Sequence, residues 1–306
     1  MFKKKKYITP EDVVTPIGGD ATELLKKVRE LEIKSKKLTN NIFTGEYHSA
    51  FKGRGMSFRE VREYSAGDDI RFIDWNVSAR FSSPYTKLFE EERELTVMLL
   101  IDTSMSNLFG TTMRRKKDLI TEIAAVLSFS AIKNNDKIGA IFFSNKIEKF
   151  IPAKKGKAHA LYIVRELLTV KPTAKGTDLD LAIKYFNNTT RQKSIAFILS
   201  DFISSNYESD LKIIGKKHDV IGIKMYDKMD MQLPDVGLLQ VEDSETATTK
   251  WIDTSSAVVR KHYSDHFMKQ SELNKSYFKK AGADLLHIRT DEDYIKILQQ
   301  FFHNRK

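Results

Sequence analysis

From Leu95 onward, short runs of consecutive apolar residues alternate with amphipathic stretches of helical length, and few chain folds accept that rhythm. Thr96-Val97-Met98-Leu99-Leu100-Ile101 has no polar face, which suits a strand covered on both sides. A helix is expected over about 113–133, with Leu119, Ile120, Ile123, Ala124, Leu127 and Ala131 on one face. Ile138-Gly139-Ala140-Ile141-Phe142-Phe143 reads as a second buried strand, and residues 146–151 alternate as an edge strand paired to it. Helices are then expected near 158–168 and 179–186, a strand at 194–199, a helix at 209–217 and a strand at 220–225. Pro234, Gly237 and Lys250-Trp251-Ile252 mark residues 234–254 as a hairpin insertion. A long helix over 257–280 stops at Gly282, followed by a strand at 284–288 and a helix at 292–302. Strands alternating with helices predict an α/β fold with a doubly wound, mainly parallel sheet and right-handed crossovers.

The first third reads differently. Residues 1–41 form a polar tail with a helical pattern at Leu24, Leu25, Val28 and Leu31. Residues 42–94 carry ten aromatics between Phe43 and Phe89, mixed with charges and glycines, and show poor strand or helix periodicity. So many rings would be adhesive if exposed, so the segment is expected to pack on the domain at 95–306. The expected division is therefore a tail, a signature segment and an α/β domain.

Composition narrows the chemistry. The chain has no cysteine, which excludes disulfides, thiolate zinc sites, iron–sulfur clusters and a Cys nucleophile. With 51 basic and 41 acidic residues the net charge is +10, but it is diffuse apart from Lys3-Lys4-Lys5-Lys6. That pattern favours loose attraction to acidic surfaces and no specific nucleic-acid binding. No segment approaches the roughly 20 apolar residues of a membrane span, and no apolar region follows the first lysines. A cytoplasmic location is the expectation.

In open α/β sheets ligands sit at the carboxyl ends of strands. Asp102-Thr103-Ser104-Met105-Ser106 follows the first strand of the domain, Ser200-Asp201 follows a later one, and Gly176-Thr177-Asp178 precedes a helix. The candidate metal ligands are Asp102, Ser104, Ser106, Thr177 and Asp201, all oxygen donors. Hard oxygen donors suit Mg²⁺ or Mn²⁺. An incomplete shell of this kind invites an acidic side chain of a partner as the last ligand.

The D-x-S-x-S loop with Thr177 and Asp201 resembles the metal-ion-dependent adhesion site of von Willebrand factor type A domains. A second signature runs Gly53-Arg54-Gly55-Met56-Ser57-Phe58-Arg59-Glu60-Val61-Arg62-Glu63-Tyr64, Gly67-Asp68-Asp69-Ile70-Arg71, Ile73-Asp74-Trp75 and Ser78-Ala79-Arg80. It is similar to the bacterial domain of unknown function 58 family, whose members join it to a von Willebrand-like domain. The resemblance covers about residue 40 to the end. It implies that Ser104, Ser106 and Thr177 ligate a metal directly while Asp102 and Asp201 act mostly through water. It also implies a partner, since such proteins are commonly encoded beside MoxR-type AAA+ ATPases. Membrane-anchored relatives open with transmembrane helices; this chain resembles the soluble branch. The resemblance implies no catalytic activity.

Competing readings accompany these. The Asp102–Ser106 loop alone could be a backbone-capping turn. Arg59, Arg62, Arg71 and Arg80 can pair with Asp68, Asp69 and Asp74 in a partly buried network, or face a partner, with Trp75 and Tyr64 as core anchors. His262 and His266 read as a solvated helix face, and Lys154-Lys155-Gly156-Lys157 as a basic helix entry, not a phosphate loop. The sequence therefore predicts a non-enzymatic, metal-dependent interaction module acting as adaptor or co-chaperone for the ATPase or its client. The alternative is a metal-dependent hydrolase of a phosphoester or peptide bond with Asp178 as base.

Overall fold

Apolar runs separated by amphipathic stretches can bury all their backbone polar groups only by pairing the runs side by side and covering both faces. The computed structural model shows that solution, and it describes residues 26–33, 57–90, 94–108, 110–111, 114–170, 176–204, 206–242 and 249–305. Lys3–Lys6, Leu24, Leu25 and the Gly53–Met56 part of the signature lie outside the described residues.

In chain order the elements begin with β1 (Ser57–Glu63), α1 (Trp75–Phe81) and β2 (Tyr85–Glu90). Then come β3 (Thr96–Asp102), α2 (Lys116–Lys133), β4 (Lys137–Phe143), β5 (Ile147–Lys154), α3 (Lys157–Thr169), α4 (Leu179–Thr189) and β6 (Ile195–Ser200). The chain continues through α5 (Glu208–Lys217), β7 (Asp219–Tyr226), the single turn α6 (Lys228–Met231), β8 (Leu238–Glu242) and β9 (Thr249–Asp253). It closes with α7 (Ala257–Ala281), β10 (Asp284–Arg289) and α8 (Tyr294–Asn304).

The central sheet has six strands in the order β10-β7-β6-β3-β4-β5. Every neighbouring pair is parallel except β4 and β5. The chain starts in the middle at β3, winds outward to β5, then returns to place β6 on the other side of β3. The winding direction therefore reverses between β3 and β6, which opens a crevice at their carboxyl ends. This is the expected doubly wound, mainly parallel α/β fold.

Two cores lie on the two faces. Val97, Leu99 and Ile101 of β3 pack with α2, α3 and α8, including Leu298 and Phe302. Met98 and Leu100, pointing the other way, pack with α4, α5 and α7, including Ile183, Leu211 and Phe278. α5 and α7 touch so closely that a methyl group on Gly215 would sit 2.2 Å from the Ala281 carbonyl oxygen. Leu31, in a helical stretch at residues 26–33, packs against the first core, and Glu32 pairs with Lys157 at 2.7 Å.

Residues 57–90 contain more order than their composition suggested. β1 and β2 pair antiparallel with a bulge between Phe58 and Glu60, and α1 lies between them in sequence. β8 and β9 form a separate antiparallel pair within the expected insertion.

Candidate functional site at the carboxyl ends of β3 and β6

Asp102 is the last residue of β3 and is 2% exposed. One carboxylate oxygen, Oδ1, accepts from the Ser104 backbone N–H at 2.9 Å, closing the turn that leaves the strand. Oδ2 accepts from Ser200 Oγ at 2.7 Å. Ser104 Oγ and Ser106 Oγ stand 2.9 Å apart, so the turn aims both hydroxyls at one place. Asn107 Nδ2 braces the loop by donating to the Asp102 carbonyl and to Ser104 Oγ, each at 3.2 Å. Burial, then the charge of Asp201, pushes the Asp102 carboxyl up to about 6.

Asp201 follows β6 and is 2% exposed. Oδ1 accepts from the Ile203 N–H at 3.2 Å, while Oδ2 is buried without a hydrogen bond. The turn that carries it is strained: Phe202 has φ of 55°, a left-handed conformation that a bulky side chain rarely adopts. Neighbours hold it there. The Phe202 N–H donates to Ser200 Oγ at 3.1 Å, and its ring lies edge-on to Phe278 at 5.4 Å. Asn274 Nδ2 of α7 donates to the Phe202 carbonyl at 3.3 Å, and Tyr207 OH donates to Asn274 Oδ1 at 2.7 Å.

Thr177 stands in the loop before α4, half-buried, next to Gly176, whose φ of 89° favours glycine. Its carbonyl faces Ser204 Oγ at 3.5 Å, linking this loop to the one that carries Asp201. Asp178 caps α4, accepting from the Leu181 N–H at 2.9 Å. Its Oδ1 is taken up by that cap, which counts against the base role that the hydrolase reading gives it. His287 lies on β10, separated from β3 by β7 and β6, so no His–Ser pair forms with Ser104.

The donors present are suited to a hard divalent cation: two clustered hydroxyls and two buried carboxylates, one of which keeps an oxygen without a hydrogen bond. No group of three or more His, Cys, Asp or Glu side chains that could hold a metal occurs among the described residues.

A lysine enters the site unforeseen by the sequence. Lys116, at the start of α2, is 2% exposed, with Nζ 2.9 Å from Asp230 Oδ2 and 3.7 Å from Asp201 Oδ2. Burial works to lower its pKa, but the carboxylates of Asp201 and Asp230 outweigh it and hold the ammonium above the ordinary lysine value. Sequence position gave no signal of this, because a Lys in the first turn of a helix normally points to solvent. Ser200 was visible beside Asp201, but its hydrogen bond to Asp102 depends on β3 and β6 being neighbours.

The Arg/Asp segment resolves into local pairs, not one network. Arg62 pairs with Asp68 at 2.7 Å, Arg71 with Asp69 at 2.6 Å and Lys87 with Asp74 at 3.2 Å. Asp69 and Asp74 also cap short helical segments, through the N–H groups of Arg71 and of Asn76 and Val77. Ser65 N–H donates to Asp68, whose carboxyl is held below the usual range first by that bond. Arg80 is exposed with no ion pair among the described residues; Arg59 lies on β1, its side chain outside the described ones. Trp75 is not a core anchor. It begins α1 directly after its cap, on a helix with no buried residue, and is 71% exposed. Tyr64 is half-buried.

His262 and His266 are both exposed on α7. Lys154 ends β5 and Lys157 starts α3, with Gly156 between them at φ of 103°. No helix among the described residues is long and apolar enough to cross a membrane.

A mycobacterial protein, the uncharacterized Rv1480 of Mycobacterium tuberculosis, is 29% identical over 294 residues, covering 94% of this chain and 91% of its own. The crystal structure of the conserved hypothetical protein BatB from Bacteroides thetaiotaomicron overlaps 69% of this chain and 98% of its own, at 13% identity and TM-score 0.45. The SpRpn10 VWA domain overlaps 67% of this chain and 93% of its own, at 12% identity and TM-score 0.37. Residues 60–273 match the family model described as Protein of unknown function DUF58, and the chain belongs to that family.

Proposed function

We propose that the protein is a metal-dependent protein-interaction module whose crevice between β3 and β6 holds Mg²⁺ or Mn²⁺ and, through it, an acidic side chain of a partner. The observation that carries the reading is the paired hydroxyls of Ser104 and Ser106 on a turn fixed by Asp102, with an Asp201 oxygen buried and without a hydrogen bond at the adjacent strand end. Ser104, Ser106 and Thr177 would hold the cation, with Asp102 and Asp201 supporting through water. A bound cation would supply an open coordination position for a carboxylate. The chain's own residues do the rest. Asp102 and Asn107 keep the two hydroxyls together, and the braced Phe202 turn keeps Asp201 in place.

The partner proposed is a MoxR-type AAA+ ATPase or its client, with the protein as adaptor or co-chaperone. Residues 57–90 would offer a second contact through exposed Trp75 and Phe81. The engagement of Asp178 in helix capping counts against the hydrolase alternative.

The test is a thermal melt of wild type and Asp102→Ala in EDTA and in millimolar Mg²⁺ or Mn²⁺. A metal bound only by the folded state adds about 2.7 kcal/mol at a hundredfold excess over Kd. A rise in wild type alone, with ATPase capture that needs both metal and Asp102, is expected. Capture unchanged by Asp102→Ala in metal would overturn the proposal.

A further inference from the structure

The crevice continues into a cavity of about 340 Å³ between the carboxyl ends of β6 and β7 and the first half of α7. The space exists because α7 packs down only toward its end. It buries Ser271, Asn274, Phe278 and Ala281, while the residues before Ser271 bury none. Asp201 borders both the crevice and the cavity. Ser204, on the same wall, places its Oγ 3.5 Å from the Thr177 carbonyl, so the loops of the proposed metal site also form this wall.

The charges around the cavity balance. Lys224, buried on β7, donates to Ser271 Oγ at 3.2 Å. Burial draws its ammonium down to about 8, and the carboxylates of Asp201 and Asp230 act against that shift, so it stays largely charged at neutral pH. Lys116 faces the same two carboxylates, 2.9 Å from Asp230 and 3.7 Å from Asp201. Two ammonium groups therefore stand against two carboxylates, and an entering ion would shed its water without net attraction in return. The rings of Tyr226, Tyr263 and Phe267 form much of the remaining wall. Tyr226 and Phe267 are tilted by 44° with centres 5.4 Å apart, a surface suited to an uncharged ring. The volume lies at the small end of the range for ligand pockets and suits one large side chain.

We infer that this cavity is the specificity pocket of the proposed metal site and takes an aromatic side chain of the partner, two residues along an extended segment from the acidic residue on the cation. The inference rests on the metal reading above. In an extended segment, alternate residues project to the same side about 7 Å apart. A carboxylate and a ring spaced in that way enter the crevice and the cavity together, on either side of Asp201. A carboxylate alone marks many protein surfaces, and the added ring would separate the right partner from the rest.

The experiment is an NMR titration of the full chain with two end-blocked peptides, Gly-Gly-Glu-Gly-Phe-Gly-Gly and Gly-Gly-Glu-Gly-Ala-Gly-Gly, in Mg²⁺ and in EDTA. Both are expected to bind in Mg²⁺ alone, the Phe peptide roughly tenfold more tightly, as burial of one ring provides. The ring resonances of Tyr263 and Phe267 should move with the Phe peptide only. Gln270→Trp, which fills the cavity, is expected to remove the preference, and the ring resonances of wild type decide the question if that variant fails to fold. Equal affinity of the two peptides in Mg²⁺ would overturn the inference and leave the metal reading standing. So would a preference that survives Gln270→Trp or leaves the Tyr263 and Phe267 rings unmoved. Binding of neither peptide in Mg²⁺, or equal binding in EDTA, would overturn the metal reading and the inference with it.

Discussion

Ser200 Oγ donates to Asp102 Oδ2 at 2.7 Å, and this hydrogen bond ties the ends of β6 and β3 together where the winding of the sheet reverses. Ser200 Oγ also accepts from the Phe202 N–H, so one hydroxyl serves both loops of the crevice. Ser200→Ala would leave a buried carboxylate oxygen and a buried N–H without partners. A loss of about 1–3 kcal/mol is expected in chemical denaturation. A change inside ±0.5 kcal/mol, typical of an ordinary surface site, would show that the two strand ends do not need this link.

Lys116 competes with any cation for Asp201. Lys116→Met keeps the stem packed but takes away the ammonium within salt-bridge distance of both Asp201 and Asp230, so the variant should lose about 3–5 kcal/mol in EDTA. The same loss should make it the better metal binder, and Mg²⁺ should raise its melting temperature more than that of wild type. A smaller Mg²⁺ response in the variant would show that Lys116 supports the cation position instead of opposing it.

Asn274 is fully buried on α7 and bridges Tyr207 and the Phe202 carbonyl. Asn274→Ala removes both bonds and the brace on a backbone that is strained without it. A cost of about 1–3 kcal/mol is expected, together with faster amide hydrogen exchange at Phe202 and Ile203 than elsewhere in the crevice. Uniform exchange across the loops would mean that the turn holds its shape unaided.

Asp136 gives the protein a pH dependence away from the crevice. It is fully buried, with Oδ1 accepting from the Leu95 N–H at 2.9 Å and Oδ2 without a hydrogen bond. Burial, outweighing that bond, pushes its carboxyl up to about 7. The folded state therefore holds this proton more firmly than the unfolded chain, whose Asp titrates near 3.9. Its contribution favours folding at low pH and is lost progressively as pH rises from about 4 through 7. Asp136→Asn keeps the acceptor for Leu95 and cannot ionise. The melting temperature of the variant relative to wild type should climb from pH 5 to pH 8. Parallel curves would show that Asp136 titrates normally.

The α/β rhythm was legible because a doubly covered strand leaves no ambiguity: Val97–Ile101 and Ile138–Phe143 are apolar on both sides, and both are strands. Asp102, Ser104, Ser106 and Asp201 could be placed after strand ends for the same reason, and Thr177 before a helix. Helix limits shifted by a few residues, as for α2, which starts at Lys116 and not near Met113. Residues 57–90 were harder, because β1 and β2 are exposed enough to carry charge on either face and their pairing is interrupted by a bulge. Lys116 and Lys224 were invisible for a different reason. Nothing in a local window distinguishes a lysine facing water from one turned inward, and only the arrangement of β6, β7 and α7 around them decides it.

The antiparallel strand β5 has a consequence for how the protein meets other chains. An open strand edge is a template for adding a foreign strand. β5 closes that route on its side of the sheet: its pairing with β4 slips twice, Pro152 sits within it, and Lys149 and Lys154 line it. Such an edge resists sheet extension and the stacking of one copy on another. Partners on that flank are left to recognise side chains and loops, so their specificity must be written in surface chemistry and not in backbone pairing.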